Sequence, residues 1–162
     1  MSEGKPLEGR TALVTGASKG IGAATAQALA AAGVHVVLTA RDVKGLEAVE
    51  DAIHDAGGTA TIAPVDLTET DGIARLASAL ASRWDTLDIM ILAAGYLPSL
   101  GPVAQIDGKE WSRAITVNLL ASQTLLASFD PLLKRATAGR VIGLTSSVAA
   151  KPRAYWGAYA AT

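Results

Sequence analysis

A chain of 162 residues, 50% hydrophobic and 18% charged, is long enough for one domain with a sizeable core and too apolar for a disordered segment. Fourteen basic against fifteen acidic residues, with no polybasic run, exclude charge-driven binding to nucleic acid or an anionic membrane. No cysteine is present, which excludes disulfides and thiolate metal sites, and His35 and His54 stand too isolated to hold a metal, so none is expected.

The N-terminal stretch MSEGKPLEGR lacks the apolar region of a signal peptide, and no apolar run approaches the ~18 residues of a membrane span. The expectation is a soluble, cytoplasmic protein. In chain order, the first strand is TALVT (Thr11–Thr15), running into the glycine-rich TGASKGIG and then an alanine-rich helix ending at Gly33. VHVVLT (Val34–Thr39) is a β-branched second strand. Val43–Gly58 sets Leu46, Val49 and Ile53 on one helical face.

TATIAPV (Thr59–Val65) alternates as a third strand, with Pro64 suited to its end. A third helix, with Thr68 as the expected N-cap, sets Ile73, Leu76 and Leu80 on one stripe. Leu87–Ala94 and Arg140–Ser146 read as the fourth and fifth strands. Between them a long segment from Asp107 to Ala136 predicts two helices, or one kinked near Pro131. Strict alternation of apolar strands with helices predicts a single α/β domain, a Rossmann-type doubly wound parallel sheet with right-handed crossovers.

Gly16, Gly20 and Gly22 sit between a strand and a helix, where glycine permits a tight turn and lets a pyrophosphate approach the helix N-terminus. This spacing differs from the common GxGxxG fingerprint. It resembles the TGxxxGIG turn of the short-chain dehydrogenase/reductase family, and further motifs follow in that family's order through to Thr162. The resemblance implies cofactor contacts from Gly16, Ser18, Lys19, Gly20, Ile21 and Gly22, and from Asp66 and Leu67, with Asp66 accepting from the adenine amino group. Taken alone, an Asp just before a helix is equally suited to capping.

At the end of the second strand Ala40 stands where an acid would bind the ribose hydroxyls of NAD. Arg41 follows it, and with Lys19 this pair favours NADP(H) over NAD(H). The family's NNAG is here LAAG. Ala94 and Gly95 remain as implied cofactor contacts, but both asparagines are absent, so their backbone partners must be met elsewhere. Asn118, Ser147 and Tyr159 match the family's catalytic Asn, Ser and Tyr, and Tyr159 also its cofactor-contacting position. Ser146 is a structural neighbour, and Tyr96, Leu97 and Leu100 form either an apolar substrate wall or a cover for the core.

The implied reaction is NADPH-dependent reduction of a small-molecule carbonyl, or the reverse alcohol oxidation. The family carries a lysine four residues after its tyrosine, two further strands, and a helix that packs on a partner subunit. A polypeptide ending at Thr162 is therefore expected to be weak or inactive, with an apolar fifth-strand edge, and the full-length form a homo-oligomer. The alternatives are a non-catalytic NADP(H)-binding module and a structural fragment that associates with another chain.

Overall fold

A computed structural model describes residues 4–162. Five strands form one sheet: β1 (Thr11–Thr15), β2 (His35–Thr39), β3 (Thr59–Ile62), β4 (Ile89–Leu92) and β5 (Arg140–Gly143). Their spatial order is β3-β2-β1-β4-β5, and every pairing is parallel. The order reverses between β1 and β4, the kind of point at which open α/β sheets leave a crevice beyond the strands' C-terminal ends.

Side chains alternate across the sheet and find helices on both faces. Ala12 and Val14 pack with Val36, Leu38 and the apolar stripes of α1 (Gly20–Ala31) and α2 (Val43–Asp55). Leu13, Val37 and Met90 face the other way, against α3 (Thr70–Ala81) and α5 (Ala121–Arg135), where Leu125 and Phe129 are fully buried. Burying a side chain of Phe size contributes about 1.5–3 kcal/mol, so this double layer accounts for the strands reading as continuous apolar runs.

Four of the strands are shorter than their apolar runs. β3 stops at Ile62, before Pro64, which cannot donate to a ladder, and β4 occupies only the middle of Leu87–Ala94. β5 forms the second edge of the sheet, and all four of its residues are exposed, Ile142 by 55%.

One expectation needs correction, and of the two alternatives for the long segment the structure has two helices. The N-cap of α3 is Glu69, without a side-chain cap bond; Thr68 instead donates its N–H and its hydroxyl to Asp66 Oδ1 at 2.9 and 2.8 Å. The long segment does not break at Pro131, which lies inside continuous α5. Its irregularity is earlier: α4 (Gly108–Ala114) passes into a π-helical stretch, Ile115–Leu120, before α5. Two short helices close the described chain, α6 (Ser147–Ala150) and α7 (Gly157–Ala160). Among the described residues no helix is long and apolar enough to cross a membrane.

Candidate cofactor cleft and active site

The turn after β1 uses its glycines for separate reasons. Gly16 has φ +65°, and a Cβ there would come within 2.8 Å of the Ala94 backbone nitrogen. A Cβ on Gly22 would overlap the Gly16 carbonyl oxygen, so α1 can start this close to β1 only with glycine at both positions. Gly20, at φ +59°, meets nothing within 4 Å and faces open space. No side chain caps α1 and no acid lies in its first turn, which leaves the positive end of the helix dipole directed at the crevice.

That crevice is a cleft of about 630 Å³, within the size range of small-molecule sites. It runs across the strand ends and is lined by Gly16, Ser18, Lys19, Gly20, Ile21 and Gly22 from the first turn, and Ala40, Arg41 and Asp42 after β2. Asp66 and Leu67 line it after β3, and Ala94, Gly95 and Tyr96 after β4. Val65, Ala93, Val117 and Leu144 also line it, although no motif singles them out; their common signal is position, at strand ends and on the helix above them.

The charges around the cleft are ordered. Asp42 Oδ1 accepts the Gly45 N–H at 3.2 Å and caps α2, so its charge is engaged by that helix end. Burial raises the Asp66 pKa, but the two hydrogen bonds from Thr68 and the positive charges of Arg41 and Arg113 outweigh it and hold the carboxyl below its ordinary value. Asp66 is therefore a half-buried carboxylate with one oxygen already occupied by its own turn.

Thr15 supplies the partners for the loop after β4. Its buried hydroxyl donates to the Ile91 carbonyl at 3.3 Å and accepts the N–H groups of Ala93 and Ala94 at 3.0 and 3.1 Å. A hydroxyl has one donor and two acceptor sites, and here all three are used. One threonine on β1 thus ties the end of β4 and the start of the LAAG loop to the centre of the sheet.

Asn118 lies in the π-helical stretch, half-buried, with three hydrogen bonds to its amide. Its Oδ1 accepts the Tyr96 N–H at 2.7 Å, while Nδ2 donates to the Tyr96 carbonyl at 2.9 Å and to Thr162 Oγ1 at 2.9 Å. Thr162 in turn donates to the Tyr159 carbonyl at 3.0 Å. A single amide therefore joins the cleft wall to the helix that carries Tyr159.

Ser146 caps α6 by accepting the Val148 N–H, and Ser147 begins that helix with its side chain exposed. Tyr159 sits on α7 with its ring 6.1 Å from that of Trp156. Asn118, Ser147 and Tyr159 do not line the cleft, so the cofactor contact expected of Tyr159 is not seen; Val117, beside Asn118, and Leu144, three residues before Ser147, do line it. Leu97 and Leu100 are exposed and cover no core. Tyr155, 62% exposed, holds φ +71°, and its carbonyl accepts the Gly101 N–H at 3.0 Å.

A family model described as short chain dehydrogenase matches residues 10–162. The chain belongs to the short-chain dehydrogenase family. Among solved structures of short-chain dehydrogenases, one from Shigella flexneri in complex with NADP superposes with a TM-score of 0.93 at 31% identity, covering 98% of this chain and 68% of that one. A metagenomic short-chain oxidoreductase in complex with NADP gives 0.92 at 41% identity, covering 96% of this chain and 71% of that one. A fatty acyl-CoA reductase of Acinetobacter baylyi is 34% identical over 86% of this chain and 48% of its own length. This short-chain dehydrogenase chain spans about half, or less, of the length of the curated relatives it matches. The sheet order and the glycine turn are those of a Rossmann-type fold.

Proposed function

We propose that the cleft binds NADP(H) and that the protein reduces a small-molecule carbonyl, or oxidises the corresponding alcohol. The observation that carries this reading is the convergence of the glycine turn, Lys19 and Arg41 on one cleft whose only acid after β2 already caps a helix. The open space at Gly20 and the uncapped α1 fit a pyrophosphate; Lys19 and the guanidinium of Arg41 fit a 2′-phosphate. Asp66 keeps one oxygen for the adenine amino group, and Leu67, Ala94 and Gly95 form the walls. The NADP named in the Shigella and metagenomic structures supports the same cofactor.

When bound, NADPH supplies a hydride to the carbonyl carbon. Tyr159 gives its phenolic proton to the carbonyl oxygen, which thereby becomes the alcohol hydroxyl. Ser147 donates a hydrogen bond to that oxygen as charge develops on it. Asn118 holds the Tyr159 helix and the cleft wall in register through its amide. A positive charge close to the phenol would favour the phenolate and so ease this proton exchange.

Fluorescence titration with NADPH and NADH tests the cofactor reading. NADPH is expected to bind at least tenfold more tightly, and Arg41→Ala to weaken NADPH about tenfold while leaving NADH within about twofold, since a charge-assisted phosphate contact is worth roughly 1.5–3 kcal/mol. Equal affinity for the two cofactors would remove the basis for assigning Lys19 and Arg41 to a 2′-phosphate.

A further inference from the structure

Besides its two backbone bonds with Asn118, Tyr96 is held through its side chain by groups on α4 that the proposed chemistry does not use. Its phenol donates to Glu110 Oε1 at 3.1 Å, and the other oxygen of that carboxylate accepts the Ser99 N–H at 3.2 Å. The Arg113 guanidinium lies over the Tyr96 ring, 4.7 Å from its centre. Glu110 and Arg113 are three residues apart on α4 and share one face of it. Asp107 caps the same helix by accepting the N–H groups of Lys109 and Glu110, which fixes where that face points.

This loop has no strand ladder to shape it. One carboxylate bridges residues 96 and 99, and a cation covers the ring between them. The inner side of the arrangement is the cleft wall, because Tyr96 lines the cleft. Its outer end reaches the Tyr155 carbonyl through the Gly101 N–H. Arg113 also acts across the cleft mouth, since its charge helps to lower the Asp66 pKa. An anchored loop binds a ligand without first having to be ordered, and that ordering cost is what a loosened wall would add to every binding event.

We infer that Glu110 and Arg113 are positioning residues for the cofactor cleft, acting through Tyr96. The inference rests on the NADP(H) reading of the cleft. It differs from a general structural role in one respect: both side chains act on a surface loop outside the core, so removing them alters binding without unfolding the domain.

The test is a thermodynamic cycle on NADPH affinity, read by fluorescence titration of the wild-type chain, Glu110→Ala, Tyr96→Ala and the double variant, with thermal melts of each. The expected result is a Kd raised about fivefold to tenfold by Glu110→Ala, with the melting temperature nearly unchanged, and no further weakening by Glu110→Ala once Tyr96 is alanine. Glu110→Gln, which keeps one acceptor oxygen, is expected to fall between wild type and Glu110→Ala. Burial first, then the hydrogen bond and charge of Glu110, raise the Tyr96 pKa, so ultraviolet titration of Glu110→Gln should show one phenol shifting back down, a change absent in the Tyr96→Phe background.

A Glu110→Ala Kd within twofold of wild type would overturn the inference while leaving the cleft reading intact. So would an undiminished Glu110→Ala effect in the Tyr96→Ala background. A wild-type chain that folds and does not bind NADPH would instead overturn the cleft reading, and this inference with it. If Glu110→Ala does not fold, Glu110→Gln with Tyr96→Phe completes the same cycle.

Discussion

Replacing Thr15 with valine removes one oxygen and keeps the side chain's shape, so its effect isolates the hydroxyl. That oxygen serves the Ile91 carbonyl and the N–H groups of Ala93 and Ala94. Thr15 is 1% exposed, which leaves little solvent to replace the bonds. Each net hydrogen bond contributes about 1 kcal/mol, and a donor left unpaired in a half-buried loop costs about as much again, so Thr15→Val is expected to destabilise by about 2–4 kcal/mol. Thr15→Ser keeps all three bonds and loses one methyl, a cost of about 1 kcal/mol. For a domain of this size the valine loss corresponds to a fall of roughly 5–15 °C in melting temperature. Urea unfolding followed by circular dichroism measures both variants in one protocol. Valine and serine variants within about 0.5 kcal/mol of each other would show that the hydroxyl is not what holds the loop after β4.

At Tyr155, with φ +71° and an exposed ring, glycine should be about 1 kcal/mol more stable than alanine, the reverse of their usual order, because only glycine adopts that backbone freely; urea midpoints of Tyr155→Gly and Tyr155→Ala decide it, and the usual order would mean the strain is not there. His35 is bonded to Thr59 and Thr61 and stacked near Trp84, and burial first, then the charges of Arg83 and His54, lower its pKa. A folded value below the unfolded one of about 6.5 means that its contribution is complete above that pH and is lost as the pH falls through the folded value. Wild type should therefore lose more stability between pH 7.5 and pH 5 than His35→Gln does, and parallel losses in the two proteins would contradict this.

Much of the fold was legible because a buried parallel strand must be apolar throughout. TALVT became β1 residue for residue, and the glycines after it marked the turn that backs onto Ala94. Of the twelve positions that the family motifs implied as cofactor contacts, eleven line one cavity, and Tyr159 does not. What stayed hidden depends on tertiary partners. Nothing in the chain near Thr15 says that its hydroxyl will meet a loop almost eighty positions away. Thr68 has the chemistry of a cap, yet α3 starts at Thr70 with Glu69 at the cap position, and Thr68 turns its donors to the Asp66 carboxylate two residues earlier. Pro131 suggested a kink, but the broken regularity lies at Asn118, where an amide is drawn toward Tyr96 and Thr162. Backbone spacing of that kind has no signature in residue type.

The π-helical stretch has a geometric consequence for the whole rod from Gly108 to Arg135. A turn closed five residues apart takes in one more residue than an α-turn, so it offsets the angular phase of everything that follows. Ahead of it, α4 presents Glu110 and Arg113 to the loop over the cleft; beyond it, α5 presents Leu125 and Phe129 to the sheet. The two faces are cut from one helix, and the offset at Asn118 sets the angle between them. Chain length through residues 115–120 is therefore a dial: a single deletion there would rotate the core stripe against the cleft wall by a large fraction of a right angle or more. Substitutions can be absorbed in this stretch more readily than a change in the number of its residues.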